Sequence, residues 1–411
     1  MLSYLVVDYT TQPITFRLKK ALRYVRLYGL GRTLIKTQGQ YHMKKRYERL
    51  PAIKAEGRGE RRHVGIIGCG NFAFSNIAYY LKKNYGQVIR GVMDVDIHRA
   101  ASLYEKYGAS YYTDDAEKVL SDPASDIIFI ASNHASHAEY AIRALERGKS
   151  VHIEKPHVVS SDQLIRLCSA MLGSKGKVAL GFNRPNSSIG REIKRHLDTQ
   201  TGAAVLNWFI AGHAMPPGHW YFRAEEGGRV LGNLCHWTDF VYQMMTPERR
   251  YPIVIRPTRA QQSDCDIAVT YTFGDGSIAA ITFSAKGHTF EGVRERFAAH
   301  RGNVLISMDD FKDLSVEVVD KKYTTSPLFR DHGHEGNIRN SYEMVRARGE
   351  LRQGCAVSYV WETAQLFLKT REALEENREI RLEPFERSFP RQREVENSVA
   401  GEQEARSIQS R

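Results

Sequence analysis

From His63 onward the chain alternates short apolar runs with longer stretches whose apolar residues recur every three to four positions. "HVGIIG", "VIRGVMD", "DIIFIAS" and "SVHIEK" read as strands, and "NIAYYLKKN", "RAASLYEKYG" and "HAEYAIRALERGK" as the helices between them. That alternation predicts βαβ units forming a doubly wound parallel sheet, closed near residue 183 by "SDQLIRLCSAML" and "KVALGFN". Over 184–385 the strands lengthen: "AAVLNWFIAG", "DIAVTYTF", "SIAAITFSA" and "RFAAHRGNVLISMDD", with hairpin signals such as "FGDGS". This half predicts an α+β domain with an open, largely antiparallel sheet, so the whole is α/β. "CAVSYVWETAQLFLKTREALEEN", Cys355 to Asn377, has the spacing of one long amphipathic helix packed on the body. The polar tail 386–411 predicts disorder.

Residues 1–62 follow another pattern. "ITFRLKKALRYVRLYGL" sets Ile14, Leu18, Leu22 and Val25 at helical spacing among Arg and Lys, predicting a basic amphipathic helix that ends near Gly29 or Gly31. "KAEGRGERR", Lys54 to Arg62, has linker composition. The chain's net charge of +12 belongs almost wholly here, with 15 Lys and Arg against 4 acids, which leaves 44 against 43 in the body. Three readings fit the helix: docking on the protein's own surface or another subunit, lying on an anionic membrane through residues 14–46, or binding a polyanion. With a nearly neutral body, no nucleic acid partner is expected. Five cysteines lie singly without a C-x-x-C pair, the opening "MLSYLVVDYTTQP" has no basic stretch before its short apolar run, and no long uncharged apolar run follows. These point to a reduced, cytoplasmic protein, with the inner membrane surface as a further location, and to neither signal peptide nor transmembrane helix.

"HVGIIGCGNFAFSNIAYYL" places Gly68, Gly70 and Ala73 as G-x-G-x-x-A directly after a strand and at the start of a helix. In that position Gly68 permits the tight turn, Gly70 admits a pyrophosphate to the backbone, and Ala73 lets helix and strand pack closely; Asn71 and Phe72 lie in the same turn. Asp94 ends the second strand, where a carboxylate accepts both ribose hydroxyls and repels a 2′-phosphate. NAD is therefore favoured over NADP, with Arg99 keeping the second open. "GKSVHIEKPHVVS" puts Glu154, Lys155 and Pro156 at the C-terminal end of a strand, the edge at which such sheets bind ligands.

At these residues the chain resembles the Gfo/Idh/MocA family of oxidoreductases. The resemblance runs over about residues 63–385, through "GIIGCGNFA", "SNHASHAEYAIRALERGKSVHIEKP", "GFNRPNSS" and "EEGGRVLGNLCHWTDF" in that order. It implies a Rossmann domain, a following open-faced sheet domain, NAD(P) at their junction, and hydride exchange with a hydroxyl-bearing carbon of a sugar or cyclitol. It implies that Lys155 is the site lysine, with Ser132, His134, His137 and Glu154 at the cofactor. His236 and Asp239 take the histidine and second aspartate of the family's D-x-G-x-H-x-x-D pattern. Two departures fall at the chemistry: Gly232, with Asn233 beside it, stands where the first aspartate belongs, and Ser132, Asn133 and His134 replace threonine-proline-asparagine. They resemble a subgroup carrying G-x-x-C-H.

An imidazole suits a hydroxyl proton at neutral pH, so His236 is the expected base, with Lys155 stabilising the alkoxide. Asp239, one helical turn on, is expected to hold that ring or a substrate hydroxyl. Asn183, Arg184, Trp220 and Asn233 are the further substrate contacts. Neither His213, His219 and His236 nor His332 and His334 repeat a ligand spacing, so no metal is expected. The leading reading is an NAD-dependent dehydrogenase or ketoreductase, with a nucleotide-linked or surface-polysaccharide sugar as substrate and a homo-oligomer built through the C-terminal sheet. A redox-neutral, NAD-retaining epimerase or glycosidase and a non-catalytic nucleotide sensor are the alternatives.

Overall fold

The computed structural model describes residues 10–54, 61–215, 218–258, 266–287, 290–346 and 352–390. The tail from 391, most of the predicted linker and the two prolines of "PPGHWYF" lie outside the described residues.

The chain opens with helices α1 (Ile14–Tyr28) and α2 (Leu30–His42). Where the sequence predicted one helix ending near Gly29 or Gly31, α1 stops at Tyr28 and the chain turns straight into a second. Gly29 makes the corner at φ +82°, with its N–H on the Val25 carbonyl. Six parallel strands follow: β1 (Val64–Ile67), β2 (Ile89–Met93), β3 (Tyr111–Thr113), β4 (Ile127–Ile130), β5 (Ser150–Ile153) and β6 (Val178–Leu180), in the order 3-2-1-4-5-6. Short apolar runs such as Ile127–Ile130 form fully buried strands because helices cover both sheet faces. Those helices are α3 (Ala78–Tyr85), entered through a π-helical turn at Ala73–Ile77, α4 (Ile97–Tyr107), α5 (Ala116–Leu120), α6 (His134–Glu146) and α7 (Ser161–Gly173).

After α8 (Ser188–Asp198) the second sheet begins with β7 (Ala204–His213), and α9 (Cys235–Met244) follows it. Then come β8 (Ile253–Thr258), β9 (Asp266–Thr272), β10 (Ile278–Gly287), β11 (Arg294–Arg301), β12 (Val304–Asp309), β13 (Asp313–Val318) and β14 (Lys321–Thr325). With β15 (Ile380–Leu382) they make a nine-stranded sheet in which only β7 and β10 pair in parallel. "RFAAHRGNVLISMDD", one strand by its pattern, breaks at Gly302 and Asn303 into the β11–β12 hairpin. α10 (His334–Tyr342) and α11 (Val357–Glu376) complete the body, and α11 matches the predicted amphipathic helix. α10 returns to the first sheet: Ile338, Tyr342 and Met344 join the core of β1, α3 and α4, and Ser341 bonds His152 of β5.

The extension docks on this body through a mixed face: Leu27 is buried and Phe16 packs edge-on against Phe290, while several basic side chains add polar ties. Lys20 donates to the Phe290 carbonyl, Arg23 pairs with Glu291, and Arg32 donates to the Ser75 carbonyl and Asn76 Oδ1. His42 Nε2 donates to the Cys69 carbonyl, 2.7 Å away, while its ring stacks on Phe74. Ile14, Leu18 and Leu22 are 69%, 58% and 65% exposed, so this row of the helix points away from the body.

Candidate active site

β1 delivers the glycine turn. Gly68 sits at φ +88°, and a Cβ there would come within 2.5 Å of the Ala131 carbonyl and Ser132 nitrogen, so only glycine lets the turn pass the end of β4. A Cβ on Gly70 would meet nothing within 4 Å, which leaves its backbone open to a pyrophosphate. Asn71, Phe72 and Ala73 then open the helix, whose first N–H groups have no acceptor within it. Asp94 Oδ2 accepts the Cys69 N–H at 2.7 Å and Oδ1 the Asp96 N–H at 2.9 Å, so each oxygen keeps a lone pair for a ribose hydroxyl. Arg99 is engaged by Asp96 at 3.3 Å, consistent with NAD rather than NADP. These residues fit a dinucleotide.

A cavity of about 850 Å³ adjoins this turn, within the roughly 300–1,000 Å³ typical of ligand sites. Asn71 and Phe72 line it together with Lys155, Arg184, Asn233 and His236. Lys155, just past β5, donates to the Gly232 carbonyl at 2.7 Å and keeps two further N–H groups. His236 Nδ1 has no hydrogen-bond partner among the described residues. Burial, then the positive charges of Arg184 and Lys155 and the rings of His334 and His332, hold its pKa well below the ordinary histidine value, so the ring is neutral. Arg184 Nε pairs with Glu295 at 2.5 Å, and the same carboxylate oxygen takes the Trp237 indole N–H at 2.6 Å. Asn233 Oδ1 is buried without a partner.

Several predicted site residues turn out to build the walls. Asp239 does not touch His236: its carboxylate receives Tyr359 Oη at 2.6 Å, Gln243 Nε2 at 2.8 Å and Thr363 Oγ1 at 3.2 Å, locking α9 to α11. Burial raises its pKa to about 7 despite those donors. Asn183 is 1% exposed and ties Nδ2 to the His332 carbonyl. Glu154 faces inward and accepts from His152 Nε2 at 3.1 Å. The nitrogens of His137 lie 2.8 and 3.1 Å from the Pro156 and Ser132 carbonyls, joining the two loops that flank β5 and β4. Ser132 bonds Ser136. His134 donates to the Glu226 carbonyl at 2.9 Å and packs against Trp220 and Tyr221, so neither His134 nor Trp220 reaches this cavity.

The family profile described as "Oxidoreductase family, NAD-binding Rossmann fold", that of Gfo/Idh/MocA, matches residues 62–182. Inositol 2-dehydrogenase of Burkholderia cenocepacia is 31% identical over 210 residues, 50% of this chain and 60% of that protein. Over residues 62–182 the chain thus matches the Gfo/Idh/MocA oxidoreductase family. Oxidoreductase P35 of Formosa agariphila is 30% identical over 36% of this chain and 46% of its own length, so the match spans about half the length of these curated relatives. The scyllo-inositol 2-dehydrogenase (NAD(+)) of Bacillus subtilis is 24% identical across 68% of this chain and 86% of its own. The fold of levoglucosan dehydrogenase, solved with NADH and levoglucosan, superposes with a TM-score of 0.67 at 15% identity, covering 78% of this chain and 99% of that one.

The absent first aspartate has a steric cause. A Cβ on Gly232 would lie 2.7 Å from both His134 Cε1 and Tyr221 Cε2, so two rings take up the room a carboxylate side chain would need. Glu226 went unrecognised in the sequence: 2% exposed, it takes the Asn133 side chain at 2.7 Å and the Ala135 N–H at 3.3 Å, capping α6 from the second half of the chain. Lys36, Tyr28 and Gln40 of the extension also line the cavity, and no motif pointed to them. Glu295, Asp310 and His332 stand close enough to share a cation, but Arg184 and Arg330 already engage the two carboxylates.

Proposed function

We propose that this protein is an NAD-dependent dehydrogenase or ketoreductase acting on a hydroxyl-bearing carbon of a sugar or cyclitol. The observation that carries the reading is one cavity bounded by Asn71 and Phe72 of the glycine turn and by Lys155 and His236. NAD, when bound, supplies the hydride acceptor. Lys155, anchored through one N–H on Gly232, turns the others toward a substrate oxygen and stabilises charge building on it. His236, neutral and with an unpartnered nitrogen, accepts the hydroxyl proton. With no aspartate at 232, this pair carries the proton transfer. The test is the absorbance of reduced cofactor as the purified protein meets cyclitols, free sugars, uronic acids and nucleotide sugars. Turnover without net NADH favours the redox-neutral epimerase or glycosidase, and NAD binding with no turnover favours the sensor. A nucleotide-linked or surface-polysaccharide sugar remains the substrate we favour.

Two surfaces support association. The outward ridge of Ile14, Leu18, Leu22, Leu30 and Leu34, flanked by basic residues, suits an anionic membrane surface, although no helix among the described residues is long and apolar enough to cross a membrane. Sedimentation with anionic but not neutral vesicles tests it. Val205, Phe209, Ile278 and Leu305 expose apolar surface on the open sheet face, which suits a second copy; Phe209→Asp then lowers the oligomer size in light scattering.

A further inference from the structure

The cavity collects positive charge that the protein does not neutralise. Each of its two acids already pairs with a cation: Glu291 with Arg23 and Arg294, and Glu295 through Oε1 with Arg184 and the Trp237 indole, its Oε2 being left without a hydrogen-bond partner among the described residues. Arg330 is committed too, to Asp310 and Tyr28. Lys36 is not. Carried into the cavity by α2, it meets no carboxylate or carbonyl oxygen among the described residues, and its neighbour is the Tyr28 ring, 4.8 Å from Nζ. Burial, with Arg32 and Arg330 beside it, brings its pKa down to about 7. Arg184 bonds through Nε alone, leaving both terminal nitrogens without an acceptor among the described residues. His334 lines the same cavity as Lys36, Arg184 and Lys155, and the charges of these three and of Arg32 all bear on its ring. A buried cation without a counter-charge is costly, and such groups mark the place where a ligand supplies it.

We propose that the cavity takes a sugar or cyclitol bearing an anionic group, a carboxylate or a phosphate, and that Lys36 of the extension receives that group together with Arg184. The proposal rests on the dehydrogenase reading for the sugar, while the anion site stands on its own geometry. α1 and α2 are then one wall of the substrate site. The fork of Arg184 supplies direction to a planar or tetrahedral oxyanion, and Lys36 supplies a point charge. Asn233 Oδ1 and His236 Nδ1, both unpartnered, remain for hydroxyls.

The test is calorimetric titration of the full-length, NAD-saturated protein with glucose, glucuronate and glucose 6-phosphate, followed by competition with inorganic phosphate. At least one anionic sugar is expected to bind tenfold or more tighter than glucose, and the stronger of the two distinguishes carboxylate from phosphate. Lys36→Met is expected to lower that affinity at least tenfold while NAD affinity and melting temperature hold, and Lys36→Arg to restore most of it. Equal binding of glucose and both anions overturns the proposal, as does unchanged anion affinity in K36M. Should K36M weaken NAD instead, the lysine serves the cofactor's pyrophosphate and the proposal also falls. Lys36-dependent anion binding with no NADH formed from any sugar keeps the anion site and rejects the dehydrogenase reading.

Discussion

Lys155 Nζ donates to the carbonyl of Gly232, 2.7 Å away and 77 residues on, and this bond joins the nucleotide half of the chain to the helix that carries His236. A backbone acceptor fixes the lysine without adding a carboxylate to the site. On the proposed mechanism, the proton chemistry of this site then rests on Lys155 and His236.

Lys155→Met is therefore expected to cut kcat by 10²-fold or more, on the order of one electrostatic or acid-base contribution, while NAD affinity changes little. Lys155→Arg is expected to fail as well, because a planar guanidinium cannot keep the Gly232 bond and the same substrate contact. Stopped-flow reduction of NAD separates the chemical step from release. Turnover within twofold of the unsubstituted protein would remove Lys155 from the reaction.

Restoring the commoner aspartate at Gly232 should not help. Its Cβ would stand 2.7 Å from His134 and Tyr221, so Gly232→Asp is expected to cost about 1–3 kcal/mol through overpacking. Urea denaturation measures it. A G232D protein as stable as its parent, and faster, would show that these rings move aside freely.

His236 and Asp239, three residues apart on one helix, should separate under substitution. His236→Ala removes the proposed base and is expected to lower kcat by 10²-fold or more. Asp239→Ala instead leaves Tyr359, Gln243 and Thr363 without their acceptor, costing about 1–3 kcal/mol of stability. Its kcat and KM should stay within about threefold. Parallel losses of kcat in both variants would return Asp239 to the site.

Stability should fall on mild acidification. Burial holds His42, His134, His137, His157, His236, His332 and His334 below the ordinary value of 6.5, so the unfolded chain binds more protons than the native one once pH drops through 6.5. Each contributes up to about 1.4 kcal/mol per pH unit below that point, until its folded pKa is reached. Asp239, raised to about 7, and Asp310, raised to about 6, act oppositely, since their protonated native forms lose stability as pH rises from about 4. Seven groups outweigh two between pH 6.5 and 5. Urea midpoints that stay flat from pH 7.5 to 5 would contradict this balance.

Glycine spacing and strand periodicity specified the nucleotide half, because each is a local rule: Gly68 must turn where β1 meets the β4 loop, and a strand covered on both faces must be apolar throughout. Lys155 and His236 were legible through family motifs, and the fold does bring them to one cavity. Local rules failed wherever a partner came from far away. Asp239 has the right spacing for His236, but α11, 120 residues on, supplies Tyr359 and claims the carboxylate. The extension announced an amphipathic helix, yet periodicity says only that two faces differ, not which one meets the body. The Phe290 ring, which meets Phe16, and acceptors at Glu291, the Phe290 carbonyl and the Ser75 carbonyl decided that, leaving Ile14, Leu18 and Leu22 outward. By itself, then, the sequence determined the sheets, the glycine turn and the pair of residues proposed for the chemistry. Only the tertiary structure decided that α2 walls the site and brings Lys36 into it, since burial and charge pairing depend on neighbours that no local pattern contains.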